Sequence, residues 1–401
     1  MSTATPTSTR TPTSPRPEAP RRSPIDRLRA ALARIGRVAC TTRAPYQAAI
    51  FRIGLTLAIA AFFLREWPHR RVLFGDRSPL SYEMALKLGH LEGTFSVLHW
   101  SDGRVWFEIV YALTIAAALA VMVGWRTRTM SVLLMVGVLS LENRNPLVGD
   151  GGDNVIRIMV IYLVFTRCAQ VWSLDARRAA PRRQHADTKK AKDTGDRTGI
   201  VLWAVTGLFL LMAFGMDTGW PLVFWILWGV QGVWYAANRW SPESEGRALL
   251  DAGASMLHNT AMLTIAVQVC LIYATSGWYK VQGHRWQEGS ALHYALNLEY
   301  FAPWPWLSGI LAANTVLVLL MSYGTVMLQV AFPFTLANRK VKNVLLAVMI
   351  MEHLGIAVLL GLPFFSLAML ACDAVFLPTA FLMALGTRCT RTTRSGTALA
   401  M

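Results

Sequence analysis

Apolar residues fall along this chain in runs of about 20, separated by short polar segments rich in Lys and Arg. As an α-helix, a run of that length crosses a hydrocarbon core ~30 Å thick. The pattern predicts spans at 47–64, 105–123, 129–142, 154–171, 199–216, 219–237, 258–277, 307–332, 342–361 and 363–385. The third and fourth are short or interrupted. Before them, residues 1–22 are Thr-, Ser-, Pro- and Arg-rich, a composition that favours disorder. No apolar segment of the secretory-signal kind follows them. Ser23-Pro24 then reads as a helix start, with Ile25, Leu28, Leu32 and Ile35 in one stripe and Arg27, Arg29, Arg34 and Arg37 off it. This is either a basic amphipathic helix on the inner leaflet or an ordinary juxtamembrane helix.

The expected fold class is therefore all-α: a polytopic transmembrane helix bundle of about ten spans, in a multi-pass protein of the cell membrane. Loop charge sets the orientation. Arg126 and Arg128, the block from Arg177 to Arg197, Arg339, Lys340 and Lys342, and Arg388, Arg391 and Arg394 all fall on one face if both termini are cytoplasmic. The long 65–104 loop is the exception, with six basic residues mixed with acids. Residues 1–44 form a basic tail and amphipathic helix, 45–385 the membrane domain, and 386–401 a cytoplasmic tail.

Composition agrees with this reading. The 401 residues are 54% hydrophobic and 15% charged, against roughly 25% charged in soluble domains. Mean hydropathy is +0.38. The net charge of +16 suggests nucleic acid, but the basic residues sit at the ends of apolar runs, so the expected partner is the lipid bilayer and not nucleic acid. The five cysteines show no C-x-x-C spacing, and neither a metal site nor a disulfide framework is expected. No internal repeat and no nucleotide-binding or zinc-protease motif is present.

Ionisable groups inside apolar spans cost a few kcal/mol or more, so each calls for a partner or a function. Arg52 stands in span one, Asp153 and Arg157 open span four, Glu352-His353 lie mid-span in span nine, and Asp373 in span ten. Lys280 ends span seven, before Trp286. Taken singly, Arg52 faces the bundle and reaches a carboxylate such as Glu352 or Asp373, or helix-end carbonyls, and Asp153 pairs with Arg157 one turn on. His353 bonds a carbonyl, and Lys280 snorkels to the interface among Trp278, Tyr279 and Trp286. Taken together, Lys280, Arg157 and Asp153 lie at outer helix ends, with Glu352 and Asp373 near the midplane. An outward-opening cavity gathers them around a basic lysine and suits a lipidic substrate such as a quinone.

Several motifs together resemble the HTTM family, the membrane domain shared with vitamin K-dependent gamma-carboxylases and found in bacterial members. They are Phe51-Arg52-Ile53-Gly54, Gly124-Trp125-Arg126-Thr127-Arg128, Asn145-Pro146 through Asp150-Gly151-Gly152-Asp153, and Ser173-Leu174-Asp175. Gly277-Trp278-Tyr279-Lys280 through Trp286-Gln287-Glu288-Gly289 and Glu352-His353-Leu354-Gly355-Ile356 complete the set. The resemblance covers about residues 45–385. It implies a lysine that deprotonates a reduced quinone of the vitamin K type, whose oxygenation drives proton removal from a glutamate and carboxylation. An ungapped match puts Lys280 on the first lysine of the family's Lys-Lys pair and Val281 on the second, the base. The resemblance makes Lys280, His353 and Glu352 the catalytic candidates and Arg157, Asp153 and Trp286 the cofactor-binding ones. The chain reads as the membrane core alone, with an added pair of spans at 199–237. The substrate expected is a quinone or a secreted or membrane-bound peptide. The competing readings are a non-enzymatic factor for peptide toxin maturation or export, and a transporter.

Overall fold

A computed structural model of the chain describes residues 34, 36, 38–184, 197–212 and 219–387. All regular structure among them is helical. The main helices are α1 (Pro45–Arg65), α2 (Tyr82–Glu92), α3 (Arg104–Val123), α4 (Thr127–Arg144), α5 (Gly151–Val164), α6 (Leu174–Gln184) and α7 (Arg197–Met212). They continue with α8 (Trp220–Trp240), α9 (Glu245–Gln282), α10 (Ala291–Leu296), α11 (Pro305–Ala313), α12 (Thr315–Thr335), α13 (Arg339–Leu359), α14 (Pro363–Asp373) and α15 (Thr379–Thr387). Apart from Arg34 and Gly36, the expected amphipathic helix lies outside the described residues, as do 185–196 and the tail beyond 387.

Each expected span overlaps a helix, though 154–171 leaves its helix after Val164 and 213–216 lie outside the described residues, and not all cross by length and composition. Five helices (α1, α3, α9, α12 and α13) are long and apolar enough, or six if α14 and α15, bent by 110°, count as one. The helices α4, α5, α7 and α8 that hold the other expected spans are shorter or less apolar. The 307–332 run is not one helix. It breaks at Asn314, whose side chain caps α12 by accepting from the Leu317 amide at 3.1 Å.

The core forms around α1, which packs on α3 and α14. Ala48, Phe51, Leu55, Ala58 and Ile59 on α1 are all buried. At Gly54 a Cβ would stand 2.8 Å from Ala371 Cβ, so the missing side chain permits the close α1–α14 approach.

Arg52 is fully buried, as expected, but reaches no carboxylate. Its Nη1 donates to Val121 O (2.6 Å) and Met122 O (2.7 Å), and its Nη2 to Trp172 O (2.7 Å). Of the expected partners, a bundle acid or helix-end carbonyls, the structure takes the second: Met122 O at the end of α3, and Val121 O, which also accepts from the Gly124 amide at 3.0 Å. Gly124 makes this geometry accessible: it ends α3 at φ +74°, and a Cβ there would lie 2.2 Å from Ser173 Cβ and 2.9 Å from Arg52 Nη1. Asp175 closes the knot by accepting from the Arg126 and Thr127 amides and from the Thr127 hydroxyl, at 2.9–3.0 Å, where α4 begins.

The 66–103 segment is stitched to the end of α4. Ser96 Oγ donates to Ser140 O (2.8 Å), Val97 N to Ser140 Oγ (3.0 Å), Asn143 Nδ2 to Phe95 O and Asn145 Nδ2 to Leu73 O (both 2.7 Å). Its basic residues are partly neutralised: Arg70 pairs with Glu108 at 2.8 Å and Arg71 with Asp76 at 2.5 Å. That accounts for the exception to the charge pattern. His99, in this segment, has its pKa pushed down to about 4 by burial, with the charges of Arg144 and His90 adding to the effect. In the added hairpin, Trp203 and Trp228 stack at 4.0 Å, and each indole N–H donates to the other residue's carbonyl.

Candidate functional site

Tyr273, Ser276 and Lys280 recur at three- and four-residue intervals and so share one face of α9. That face meets α12, and at Gly277 the helices are close enough that a Cβ would stand 2.7 Å from Val330 Cγ2. Gln329, next to Val330, is thereby brought to the lysine. Lys280 Nζ donates to Ser276 Oγ (2.7 Å) and Gln329 Oε1 (2.8 Å). Gln329 Nε2 in turn donates to Glu352 Oε1 on α13 at 2.7 Å. The amide thus relays between an amine and a carboxylate that do not touch. Trp286 stands beside them, its ring centroid 5.3 Å from Nζ.

The next residue of α13 enters a second network. Tyr273 OH donates to Asp373 Oδ1 at 2.8 Å and lies 2.9 Å from His353 Nε2. A phenol has one proton to give. With that proton on Asp373, His353 Nε2 must be the donor to the phenol oxygen, and Nδ1 is left as a bare acceptor. Among the described residues neither His353 Nδ1 nor Asp373 Oδ2 has a hydrogen-bond partner, although Tyr273, His353 and Asp373 are at most 3% exposed. Phe332 and Phe365 flank the network, with centroids 5.6 Å from Tyr273 and 5.8 Å from His353. His353 therefore bonds a phenol, not the carbonyl expected.

The structure brings together Lys280, Glu352, His353 and Trp286, and adds Asp373. Asp153 and Arg157 belong elsewhere. Asp153 is committed to a capping box, with its Oδ2 accepting from the Asp150 amide at 2.8 Å. Arg157 donates to Asn143 (3.3 Å) and Asn154 (3.2 Å), in place of the expected pair with Asp153. Both line a separate cavity of about 210 Å³ at the junction of α4 and α5, whose walls include none of Lys280, Glu352 and His353.

Sequence reasoning missed Tyr273, Ser276 and Gln329. The first two carry a signal in retrospect, the polar face shared with Lys280. Gln329 carries a weaker one, as an amide in an otherwise apolar helix.

The HTTM domain model matches residues 223–381. No curated protein and no solved structure matches the chain. The matched stretch contains every residue of both networks, whereas the motifs around Arg52, Gly124 and Asp150 lie before it. The protein is a helical membrane protein in which residues 223–381 match the HTTM domain model.

Proposed function

We propose that this protein is a carboxylase-like membrane enzyme that takes a proton from a lipid-accessible substrate, with Lys280 as the base. The observation that carries this reading is the relay. Lys280 is held by two neutral side chains, and Glu352 is one amide away. A direct carboxylate partner would be left uncompensated each time the amine gave up its proton. Ser276 and Gln329 hold the nitrogen in place in either state. Glu352 balances its charge, and Trp286 offers an aromatic face. His353 and Asp373 present a free acceptor and a free carboxylate oxygen for a second proton.

An amine and a hydroxyl beside an indole fit the donor chemistry of a reduced quinone. Such a group supplies an acidic ring hydroxyl and reducing equivalents when bound. Lys280 and Ser276 would hold it, with Trp286 against its ring. The final substrate on this reading is a secreted or membrane-bound peptide reached from the outer face. The topology we propose with it has ten crossings, both termini and residues 176–197 cytoplasmic, and residues 45–385 acting as one unit. A reporter fused after Arg394 is then active only if it works in the cytoplasm, and its export would overturn the count.

The chemistry is tested by lipid extraction of the purified protein and mass spectrometry. Wild type should carry a quinone that Lys280→Ala lacks at equal membrane yield, and an amine-reactive probe should label Lys280 more slowly than the exposed Lys87. Quinone-free wild type, with Lys280 labelled as fast as Lys87, leaves the non-enzymatic membrane factor as the reading.

A further inference from the structure

We propose that the cavity between the α3–α4 pair and the α7–α8 hairpin seats one acyl tail of a phospholipid with an anionic headgroup, whose phosphate is held by Arg128. The hairpin touches the pair at two ends. At one, Phe224 meets Phe95 with ring centroids 4.6 Å apart, and Phe209 meets Trp106 at 6.3 Å. At the other, Thr129 Oγ1 donates to Gln231 Oε1 at 3.4 Å. Between these contacts lies a cavity of about 350 Å³. Its α3 wall runs from Trp106 to Ala120, ~21 Å at 1.5 Å per residue. One leaflet of a ~30 Å hydrocarbon core is about 15 Å deep, so the cavity is long enough to take a lipid tail over its whole depth.

The walls suit a hydrocarbon chain. The Thr114 and Thr206 hydroxyls bond carbonyls of their own helices at 2.8 and 2.9 Å. The Trp106 and Trp228 indoles each donate to a carbonyl at 2.8 Å. Among the buried side-chain polar atoms of the walls, only the Trp100 N–H lacks a partner. A polar ligand would gain a single hydrogen bond for its lost hydration. An apolar void of this size is in turn costly to leave empty. The cavity also opens sideways, because the wall residues Ile109, Leu113 and Ala116 form an exposed stripe on α3. In a membrane protein that stripe faces lipid, and a tail can enter there without crossing water.

An independent observation supplies the headgroup. Trp234 follows Gln231 by three residues and so lies one turn beyond the Thr129–Gln231 end, on the same face of α8. Arg128, which precedes Thr129, lies over its ring at 3.8 Å, and Arg247 does so at 4.5 Å. Arg247 and Arg167 both pair with Asp251. The Arg128 guanidinium makes neither a hydrogen bond nor an ion pair among the described residues. It is exposed and held flat against the indole, with its N–H groups free to fork onto phosphate oxygens. Two guanidinium groups on one ring favour a headgroup with net negative charge over a zwitterionic one. In the proposed topology this end is cytoplasmic, where anionic lipids are found. No residue of this site enters the networks around Lys280 and His353, so the two readings stand or fall apart.

Photolabelling of the detergent-purified full chain tests the site. The probes are phosphatidylglycerol with a diazirine in one acyl tail and phosphatidylcholine with the same tail, and labelled peptides are mapped by mass spectrometry. Phosphatidylglycerol should label α3 and α7 beside the cavity about fivefold or more above phosphatidylcholine, the effect of roughly one arginine near an anionic lipid. Ala116→Trp fills the cavity from an already exposed position and should cut that label by a similar factor, while label on the exposed face of α12 stays the same. If that variant is not recovered folded, Leu113→Trp should show the same loss. Arg128→Gln should bring the two lipids to equal labelling. Label at the cavity no stronger than on α12, equal labelling by both lipids in wild type, undiminished label in the filled variants, or a phosphatidylglycerol preference that survives Arg128→Gln overturns the proposal.

Discussion

Two cations at helix contacts, the fully buried Arg52 and the half-buried Lys280, are held in opposite ways. Arg52 ends in three backbone carbonyls contributed by the α3 terminus and by Trp172. Lys280 ends in a hydroxyl and an amide, with a carboxylate beyond. Carbonyls neither titrate nor swing, and their positions are set by φ and ψ. Side chains do both. Around Arg52 only Nε lacks a partner, whereas beside Lys280 an imidazole nitrogen and a carboxylate oxygen stand open. A cation on carbonyls holds helices together; one on side chains, next to open valences, can hand protons on.

The contrast should break first at Arg52. Arg52→Leu strands the carbonyls of Met122 and Trp172, while Val121 O keeps the Gly124 amide, and should cost about 4 kcal/mol, with a steep fall in folded yield. Arg128→Leu is the control. Arg128 is exposed and stacks 3.8 Å from the Trp234 ring, so its loss should stay under about 1 kcal/mol in the same yield and Tm assays. Comparable yields would remove the structural role assigned to Arg52.

Gly277→Ala comes next. The new Cβ would press on Val330 from 2.7 Å and wedge α9 from α12, costing about 2 kcal/mol. Lys280 should then react faster with an amine probe, because its Gln329 partner moves away. An unchanged labelling rate would mean that the helix contact does not position the lysine.

His99 tests a polar group outside both centres. Its folded pKa of about 4 lies below the ordinary 6.5, so on acidification the unfolded chain takes up the proton first. Stability should therefore be full at neutral pH and fall as pH drops from about 6.5 toward 4. By pH 5.5 the loss should be about 1 kcal/mol. His99→Gln should flatten this part of a Tm–pH curve; an unchanged slope would assign the effect to another group.

Lys280→Met should change stability least, by under about 1 kcal/mol. Ser276 already lies 3.2 Å from Gln329 Oε1 and can satisfy it without the amine, while Gln329 keeps its bond to Glu352. A loss as large as that of Arg52→Leu would erase the distinction between the two cations.

The sequence made the helices and the rarity of intramembrane charge legible, and it marked Arg52, Lys280, Glu352, His353 and Asp373 as groups needing partners. It could not pair them. For Arg52 it leaves carboxylates and helix-end carbonyls both open, because a sequence shows the acids but not which carbonyls the fold leaves unpaired. Asp153 and Arg157 were joined to Lys280 because helix ends alone do not reveal which helices adjoin. Asn314 looked like an ordinary residue within a long apolar run, yet its side chain serves the backbone and ends one helix to start another. Gln329 went unnoticed because an uncharged amide carries no alarm of its own, although it is the piece that connects the others.

The 38 residues of α9 form one unbroken rod about 57 Å long at 1.5 Å per residue. That exceeds a bilayer with its headgroups, about 40–45 Å. Near its start, Asp251 is clasped by Arg167 and Arg247 at 3.0 and 2.8 Å; near its end sits Lys280. The rod links the Asp251 clasp to Lys280 as the two ends of one lever. A tilt of 5° pivoting at the clasp would sweep the far end, about 46 Å away, by ~4 Å, more than any hydrogen bond around Lys280 can stretch. Whatever grips the Asp251 end therefore has mechanical leverage over the amine along most of the length of α9.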